Sequence, residues 1–315
     1  MKIEMVTHLK IEMVTRLCPV CGSADQSHIF AEADFDPAGW DEYAFASRKI
    51  PEYMHYRLIS CPRCDLLYAS PLPVLEMLAQ AYMDAAYDSG TESEYAGRTY
   101  AGFLPAIMRR LPDLDGALDI GTGDGAFLAQ LLAHGFDRVV GVEPSEAAMS
   151  AAIGSVKPLI RHGLFRVEDF RDERFSLVTC FQTVEHLYDP LKICSDVFTL
   201  LKPGGAIFLI CHNRRSSSAL FLGLKSPIFD VEHLQLFSYR SASFLLDKAG
   251  FKNIETRPVL NRYPLHYWLK LLPLPRKLKQ EAFAYLRRRH FGNLSIPLPA
   301  GNLAVVGYKS KSYSG

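Results

Sequence analysis

The stretch Ala117–Leu128, Ala-Leu-Asp-Ile-Gly-Thr-Gly-Asp-Gly-Ala-Phe-Leu, constrains the fold of this chain more than any other. Leu118 and Ile120 flank Asp119, the pattern of a short buried strand that ends at a polar edge. Gly121, Gly123 and Gly125 follow at once. They supply a turn that bulkier residues would obstruct, and they let a ligand approach the backbone. Ala126–Leu132 then has helical spacing. Strand, glycine turn and helix make the opening unit of a nucleotide-binding α/β domain.

Two ligands compete for such a turn. Gly121, Gly123 and Ala126 satisfy the dinucleotide pattern, so the glycines alone leave NAD open. Asp119 favours a cationic ligand, because an acid at the strand edge sits poorly beside a pyrophosphate. S-adenosylmethionine (SAM) carries both a sulfonium and an α-ammonium. The next strand, Arg138–Val142, ends in Glu143, and a carboxylate about twenty residues beyond the turn can accept both ribose hydroxyls.

With these residues in place, the chain resembles the class I SAM-dependent methyltransferases from about Tyr100 to Tyr308. Asp119–Gly125 looks like the first family motif, and Val142-Glu143-Pro144-Ser145 like the second. Phe175–Pro190 resembles the fourth strand and its loop, and Leu200–Ile210 the turn into the fifth strand. His233–Ser238 followed by Leu245–Phe251 resembles a later signature of a small-molecule subgroup. The resemblance implies an α/β Rossmann-like sheet of seven strands, order 3-2-1-4-5-7-6, with the last strand antiparallel. It also implies that Asp119, Gly121, Thr122, Gly123, Gly125, Glu143, Pro144 and Gln182 line the SAM site. The family usually offers adenine an acid just after the third strand. Here that place reads His162-Gly-Leu-Phe165, so Phe165 or Phe170 is expected to flank the ring. Ser176 stands where the family commonly has Asp.

Upstream, Cys18-Pro-Val-Cys21 and Cys61-Pro-Arg-Cys64 form two matched pairs separated by 39 residues. Each pair can turn two thiolates to one side, and two such turns complete a tetrahedron around a structural Zn2+. The remaining cysteines, Cys180, Cys194 and Cys211, sit in apolar contexts, which suits a reducing cytoplasm better than a disulfide framework. Similar zinc-binding modules precede methyltransferase domains of sugar and polysaccharide pathways, which implies a glycan-type or other small-molecule acceptor. Residues 2–9 recur as residues 10–17 with Arg16 in place of His8, a tandem duplication to which no function is assigned. The expected division is a zinc module over 1–72, a helical cap over 73–112 and the methyltransferase domain over 113–315. Within the cap, Tyr87 and Tyr95 are candidate lid residues.

Glu185 and His186 open the loop after the fourth strand, and His233 precedes a helix that starts near Ser238. His186 and His233 are the two candidate catalytic bases. Some ubiquinone-pathway and small-RNA methyltransferases hold a divalent metal with Glu-x-x-Glu-His at this place. This chain reads Gln182-Thr-Val-Glu185-His186, which lacks the first carboxylate and so weakens hard-cation binding. Ser216–Phe229 is apolar and glycine-bearing, consistent with a mobile flap.

Between Arg262 and Asn293, eight basic residues accompany one acid, Glu281, with Tyr263, Tyr267 and Trp268 among them. Such an insert reads either as a peripheral membrane contact or as a solvated helical face packed through its apolar side. The formal net charge of +1 gives no global pull toward nucleic acid, and no apolar run is long enough for a transmembrane segment. Hydrophobic residues make up 49% of the 315 positions, enough for a large core. A SAM-dependent methyltransferase acting on a small-molecule acceptor is therefore expected, O- against C-methylation undecided. The alternatives are an RNA or protein methyltransferase and a non-catalytic SAM-binding protein.

Overall fold

A computed structural model describes residues 11–36, 44–46, 53–87, 92–271, 275–289, 291–292 and 294–311. The first copy of the duplication, residues 2–9, lies outside the described residues, as do Trp40 and Tyr43 of the segment between the cysteine pairs.

Five short strands build the N-terminal part: β1 (Met13–Val14), β2 (Ile29–Ala31), β3 (Leu58–Ser60), β4 (Leu67–Ala69) and β5 (Leu72–Pro73). β1 pairs with β5, and β2, β3 and β4 form an antiparallel meander. The two cysteine turns are built alike. Gly22 N–H donates to Cys18 O and Asp65 N–H to Cys61 O, each at 2.9 Å. The closing residue is left-handed in both, Gly22 at φ 70° and Asp65 at φ 65°. Asp is among the few non-glycine residues that tolerate this region.

Three helices follow: α1 (Leu75–Met83), α2 (Glu92–Ala101) and α3 (Leu104–Met108). The central sheet then begins with β6 (Ala117–Ile120), α4 (Ala126–Ala133), β7 (Val139–Glu143), α5 (Glu146–Ala151) and β8 (Ile160–His162). Ser145 caps α5 by accepting from Ala148 N–H. β9 (Phe175–Phe181), α6 (Pro190–Leu200) and β10 (Leu201–His212) come next. β10 starts before Pro203 and crosses the Gly204-Gly205 turn with a register shift between Leu201 and Ala206, so the expected turn into the fifth strand is itself part of the strand. At the foot of β9, Ser176 hydrogen-bonds Asp113.

Ser216–Phe229 contains α7 (Ser217–Leu222), capped by Ser216, with Ala219, Ile228 and Phe229 buried against the N-terminal part. β11 (Gln235–Leu236) leads to α8 (Tyr239–Lys248), which Ser238 and Ser241 start with a reciprocal capping box. The chain closes with β12 (Lys252–Pro264), α9 (Leu265–Leu271), α10 (Arg276–Arg288) and β13 (Ser295–Tyr308). The basic insert is thus a helical hairpin at the far end of an antiparallel strand pair.

The central sheet has the order β12-β13-β10-β9-β6-β7-β8, and β13 is antiparallel to both neighbours. Renumbered along this sheet, that is the expected 3-2-1-4-5-7-6. Alternate residues feed opposite faces, so both are covered. Leu118, Val140, Val178 and Ile207 meet α6 and α8, while Ala117, Val139, Leu177 and Phe208 meet α2, α3 and α4.

The N-terminal strands do not stand apart from the sheet domain. β11 adds to β4, so the four-stranded sheet β11-β4-β3-β2 takes its edge from a segment more than 160 residues away. Arg16 locks the junction: its guanidinium donates to Ala69 O, Tyr188 O, Leu234 O and Gln235 Oε1, at 2.6–3.1 Å. Burial pushes its pKa down to about 10.

Candidate functional site

The glycine turn after β6 has the conformation the sequence demands. Gly121, Gly123 and Gly125 all have positive φ, at 73°, 58° and 75°. A Cβ on Gly121 would sit 2.3 Å from Thr183 Oγ1, whereas one on Gly123 would meet nothing within 4 Å. The first glycine is needed for close packing; the second borders open space, as a cradle for a ligand requires.

Asp119 is 3% exposed and accepts from Thr122 Oγ1 at 2.8 Å and Thr179 Oγ1 at 2.6 Å. Burial pushes its pKa up to about 6, against the two hydroxyl hydrogen bonds. Glu143 ends β7 and is also buried. Its Oε2 accepts from Gly123 N–H at 2.8 Å and its Oε1 from Ser145 N–H at 2.9 Å. Burial raises this pKa as well, opposed by the same backbone donors. Each carboxylate oxygen keeps a second lone pair.

The cap reaches this loop from above. Ser93 Oγ, at the start of α2, donates to Asp124 Oδ2 at 2.6 Å, and Ser145 Oγ donates to Ala85 O at 2.8 Å. Tyr87 lies in the same connection, half-buried, and Tyr95 packs against the core shared by α2 and α4. Pro144 is half-buried, and its carbonyl contacts His162 Nε2 at 2.9 Å.

Phe170 is placed differently from the expected adenine neighbour. It is 2% exposed, stacked on Phe165 at 5.8 Å, edge-on to Phe175, and covered by the Arg161 guanidinium. Both faces are taken within the core. Phe165, half-buried, is the ring left with an accessible side.

At the tip of β9, Gln182 adopts φ 50°, and its Nε2 is buried without a hydrogen-bond partner. Left-handed backbone at a glutamine is strained, and such strain clusters at functional positions. Beyond it, three histidines stand in a row: His186 to His233 at 4.8 Å and His233 to His212 at 4.9 Å between ring centroids. His186 Nδ1 is 2.9 Å from Glu232 O and 3.1 Å from Tyr82 Oη. A carbonyl can only accept, so Nδ1 carries the proton and Nε2 keeps its lone pair. Glu185 is fully buried, and burial pushes it up to about 8. Burial likewise pushes His212 down to about 4. Among the candidate bases, His186 is the more open and His233 the more buried.

The four cysteines converge. Cys18 and Cys64 sulfurs are 3.6 Å apart, Cys21 and Cys61 3.4 Å, and all four lie within 4.8 Å of one another. Tetrahedral thiolates around zinc stand about 3.8 Å apart, so the set fits this ion. The hydrogen bond from Cys64 holds the Cys18 thiol down to about 5, toward the thiolate that zinc needs. The second cysteine turn also holds the segment that follows β10. Asp65 pairs with Arg215 at 2.6 Å and Arg214 at 3.4 Å, both just after His212.

Thr179, Ser93, Tyr82, Arg16 and His212 carry no local motif. Each acquires its part only through a partner more than 20 residues away.

A family model described as a methyltransferase domain matches residues 93–256, just over half of the chain. A probable SAM-dependent methyltransferase from Mycolicibacterium smegmatis is 30% identical over 171 residues, 54% of this chain and 64% of that protein. A ubiquinone biosynthesis O-methyltransferase from Leptothrix cholodnii is 28% identical over 179 residues, 50% of this chain and 75% of that protein. One from Acinetobacter baylyi is 32% identical over 111 residues, 33% of this chain and 46% of that protein. The chain thus spans between about half and three-quarters of the length of these relatives. Among solved structures, a SAM-dependent methyltransferase from Archaeoglobus fulgidus superposes with a TM-score of 0.48 at 17% identity, over 70% of this chain and 97% of that one. With the family model spanning the glycine turn, the Glu143 strand and the loop after β9, the chain belongs to the class I SAM-dependent methyltransferases.

Proposed function

We propose that this protein transfers a methyl group from SAM to a hydroxyl of a small-molecule acceptor. The observation that carries the reading is one edge of one sheet. Asp119, Glu143 and the open glycine loop stand at the tips of β6 and β7, and Gln182, Glu185 and His186 follow the tip of the adjacent β9. Open α/β sheets place their ligands at this edge.

In this reading Glu143 holds the ribose hydroxyls, and the loop Gly121–Gly125 carries the methionine moiety. Asp119 supplies negative charge for the α-ammonium. Thr122 locks the loop to Asp119, Pro144 shapes the adenine side, and Gln182 offers Nε2 to the methionine end. The buried, unsatisfied amide of Gln182 supports that placement. SAM, when bound, supplies a methyl on a sulfonium that departs with its electron pair as a neutral thioether. His186 Nε2 takes the hydroxyl proton as the acceptor oxygen forms its bond to carbon. His233, the second candidate base, orders the same wall. Alignment and exclusion of water by the α1–α2 cap contribute much of the rate, since the leaving group is already activated. Zinc in Cys18, Cys21, Cys61 and Cys64 is structural in this proposal, because four thiolates leave no open position.

The names of the ubiquinone-pathway relatives support a small hydroxylated acceptor. The glycan acceptor implied by the module's resemblance remains one arm of the test. The α9–α10 hairpin presents Arg287, Arg288 and Arg289 beside exposed Tyr285 and Leu278, which supports a peripheral membrane contact. Among the described residues no helix is long and apolar enough to cross a membrane.

The test uses methyl-labelled SAM and an extract of cells lacking the gene, partitioned into lipid, small-molecule and macromolecular fractions. Label in a lipid or small-molecule fraction is expected, and saccharide-bearing products there would identify a glycan acceptor. Label confined to RNA or protein would overturn the reading. A thermal shift with NAD and none with SAM would remove the cofactor assignment.

A further inference from the structure

We propose that Glu185, His212 and His233 form a divalent transition-metal site on the acceptor wall, separate from the four-cysteine cluster. The three come from distant parts of the chain: the loop after β9, the last residue of β10, and the turn before β11. One ligand atom from each lies within 4.8 Å of the others.

Three observations support a cation. Glu185 is fully buried; its Oε1 accepts from His212 N–H at 3.1 Å, but its Oε2 has no hydrogen-bond partner. A buried carboxylate oxygen without a donor is costly, and a cation at that place removes the cost. Next, His212 is prepared as a ligand. Its Nδ1 is 2.9 Å from Asn302 Oδ1, and Asn302 Nδ2 points at Asn261 Oδ1 at 3.4 Å, which orients the amide. Nδ1 therefore carries the proton, and Nε2 presents its lone pair 4.0 Å from Glu185 Oε1. This is the outer-sphere arrangement that fixes the tautomer of metal-bound histidines. Finally, two imidazoles and one carboxylate make a donor set for zinc, iron, cobalt or manganese and leave positions open for an acceptor oxygen. Donors around such an ion stand about 3.4 Å apart, so a side-chain adjustment of under about 1 Å closes the set.

The set differs from the Gln182–Glu185–His186 pattern visible in the sequence. His186 turns its Nδ1 to Glu232 O, and the converging histidines are His212 and His233. Its role rests on the methyl-transfer reading: an acceptor hydroxyl bound to the ion would ionise more readily and hand its proton to His186. Binding of the metal does not depend on that reading.

The experiment titrates the full-length, zinc-loaded protein with Co2+ and follows metal content and visible absorption. One cobalt is expected beyond the metal that a His212→Ala/His233→Ala variant retains, without the sulfur-to-metal charge-transfer band of a thiolate site. Glu185→Gln, which keeps the side chain's shape, should abolish that uptake. Asn302→Ala, which touches only the outer sphere, should weaken it about 10- to 100-fold. Cobalt uptake equal in wild type and variants, or uptake showing only thiolate bands, would overturn the proposal. Methyl transfer by a protein that takes up no additional cobalt would sink this inference alone. Cobalt uptake without SAM binding would leave the site standing and sink the functional reading.

Discussion

Asp119→Asn separates what the fold wants from what the cofactor site wants. The carboxylate lies 3% exposed beneath the glycine loop, and burial raises its pKa from 3.8 to about 6. The folded state thus binds this proton more tightly than the unfolded chain. Stability falls as pH rises from about 4 to about 6 and is level above that. Two pKa units correspond to about 3 kcal/mol, the cost of keeping the charge there at neutral pH. Asparagine removes that charge. Its Oδ1 still accepts from one threonine, and its amide must turn toward the other hydroxyl, at a cost of about 1 kcal/mol. The net expectation is a gain of about 2 kcal/mol, or about 3 °C in Tm for a chain of 315 residues. Loss of a charged partner for the α-ammonium should weaken SAM about 10- to 100-fold. In the wild type, SAM affinity should decline as pH falls through about 6, while Asp119→Asn should show no such decline. Differential scanning fluorimetry and calorimetric titration read both quantities. A variant that melts lower than the wild type, or binds SAM as tightly, would refute the reasoning.

Four other perturbations follow from the geometry. Gly121→Ala places a methyl 2.3 Å from Thr183 Oγ1 at a residue with φ 73°, and should eliminate SAM binding by calorimetry. His186→Ala should lower kcat by about 10²–10⁴ while SAM affinity stays unchanged, as single-turnover and binding assays can show. Cys61→Ser should release zinc by elemental analysis and lower the melting temperature; a wild-type protein free of zinc would refute the metal assignment. Arg16→Ala strands buried acceptors and should cost about 3 kcal/mol in chemical denaturation.

The central sheet was readable because its signals are local. Ser145 and Ser238 announce their helices by capping, and β9 (Phe175–Phe181) opens the expected strand-and-loop segment Phe175–Pro190. The glycine turn fits the same account, since three positive φ values can only be met cheaply by glycine. What stayed hidden depends on long-range contact. Nothing near Gln235 suggests that it pairs with Tyr68, and nothing near His212 points to Glu185 or Asn302. Phe170 shows the opposite failure. An aromatic residue after the third strand looks available for adenine, but packing with Phe165, Phe175 and Arg161 consumes both of its faces.

The duplicated octapeptide has one sequence difference, and it falls on the side chain that clasps the two halves of the molecule together. Arginine brings five N–H donors to that junction, whereas an imidazole has two ring nitrogens. If the chain slipped by eight residues, His8 would arrive where Arg16 now serves four acceptors, and most of them would lose their donor. In such a register the two copies would compete for one set of acceptors, and the Arg16 guanidinium favours the second copy. Exchanging the residues, His8→Arg with Arg16→His, would turn the repeat from a silent scar into a misthreading hazard.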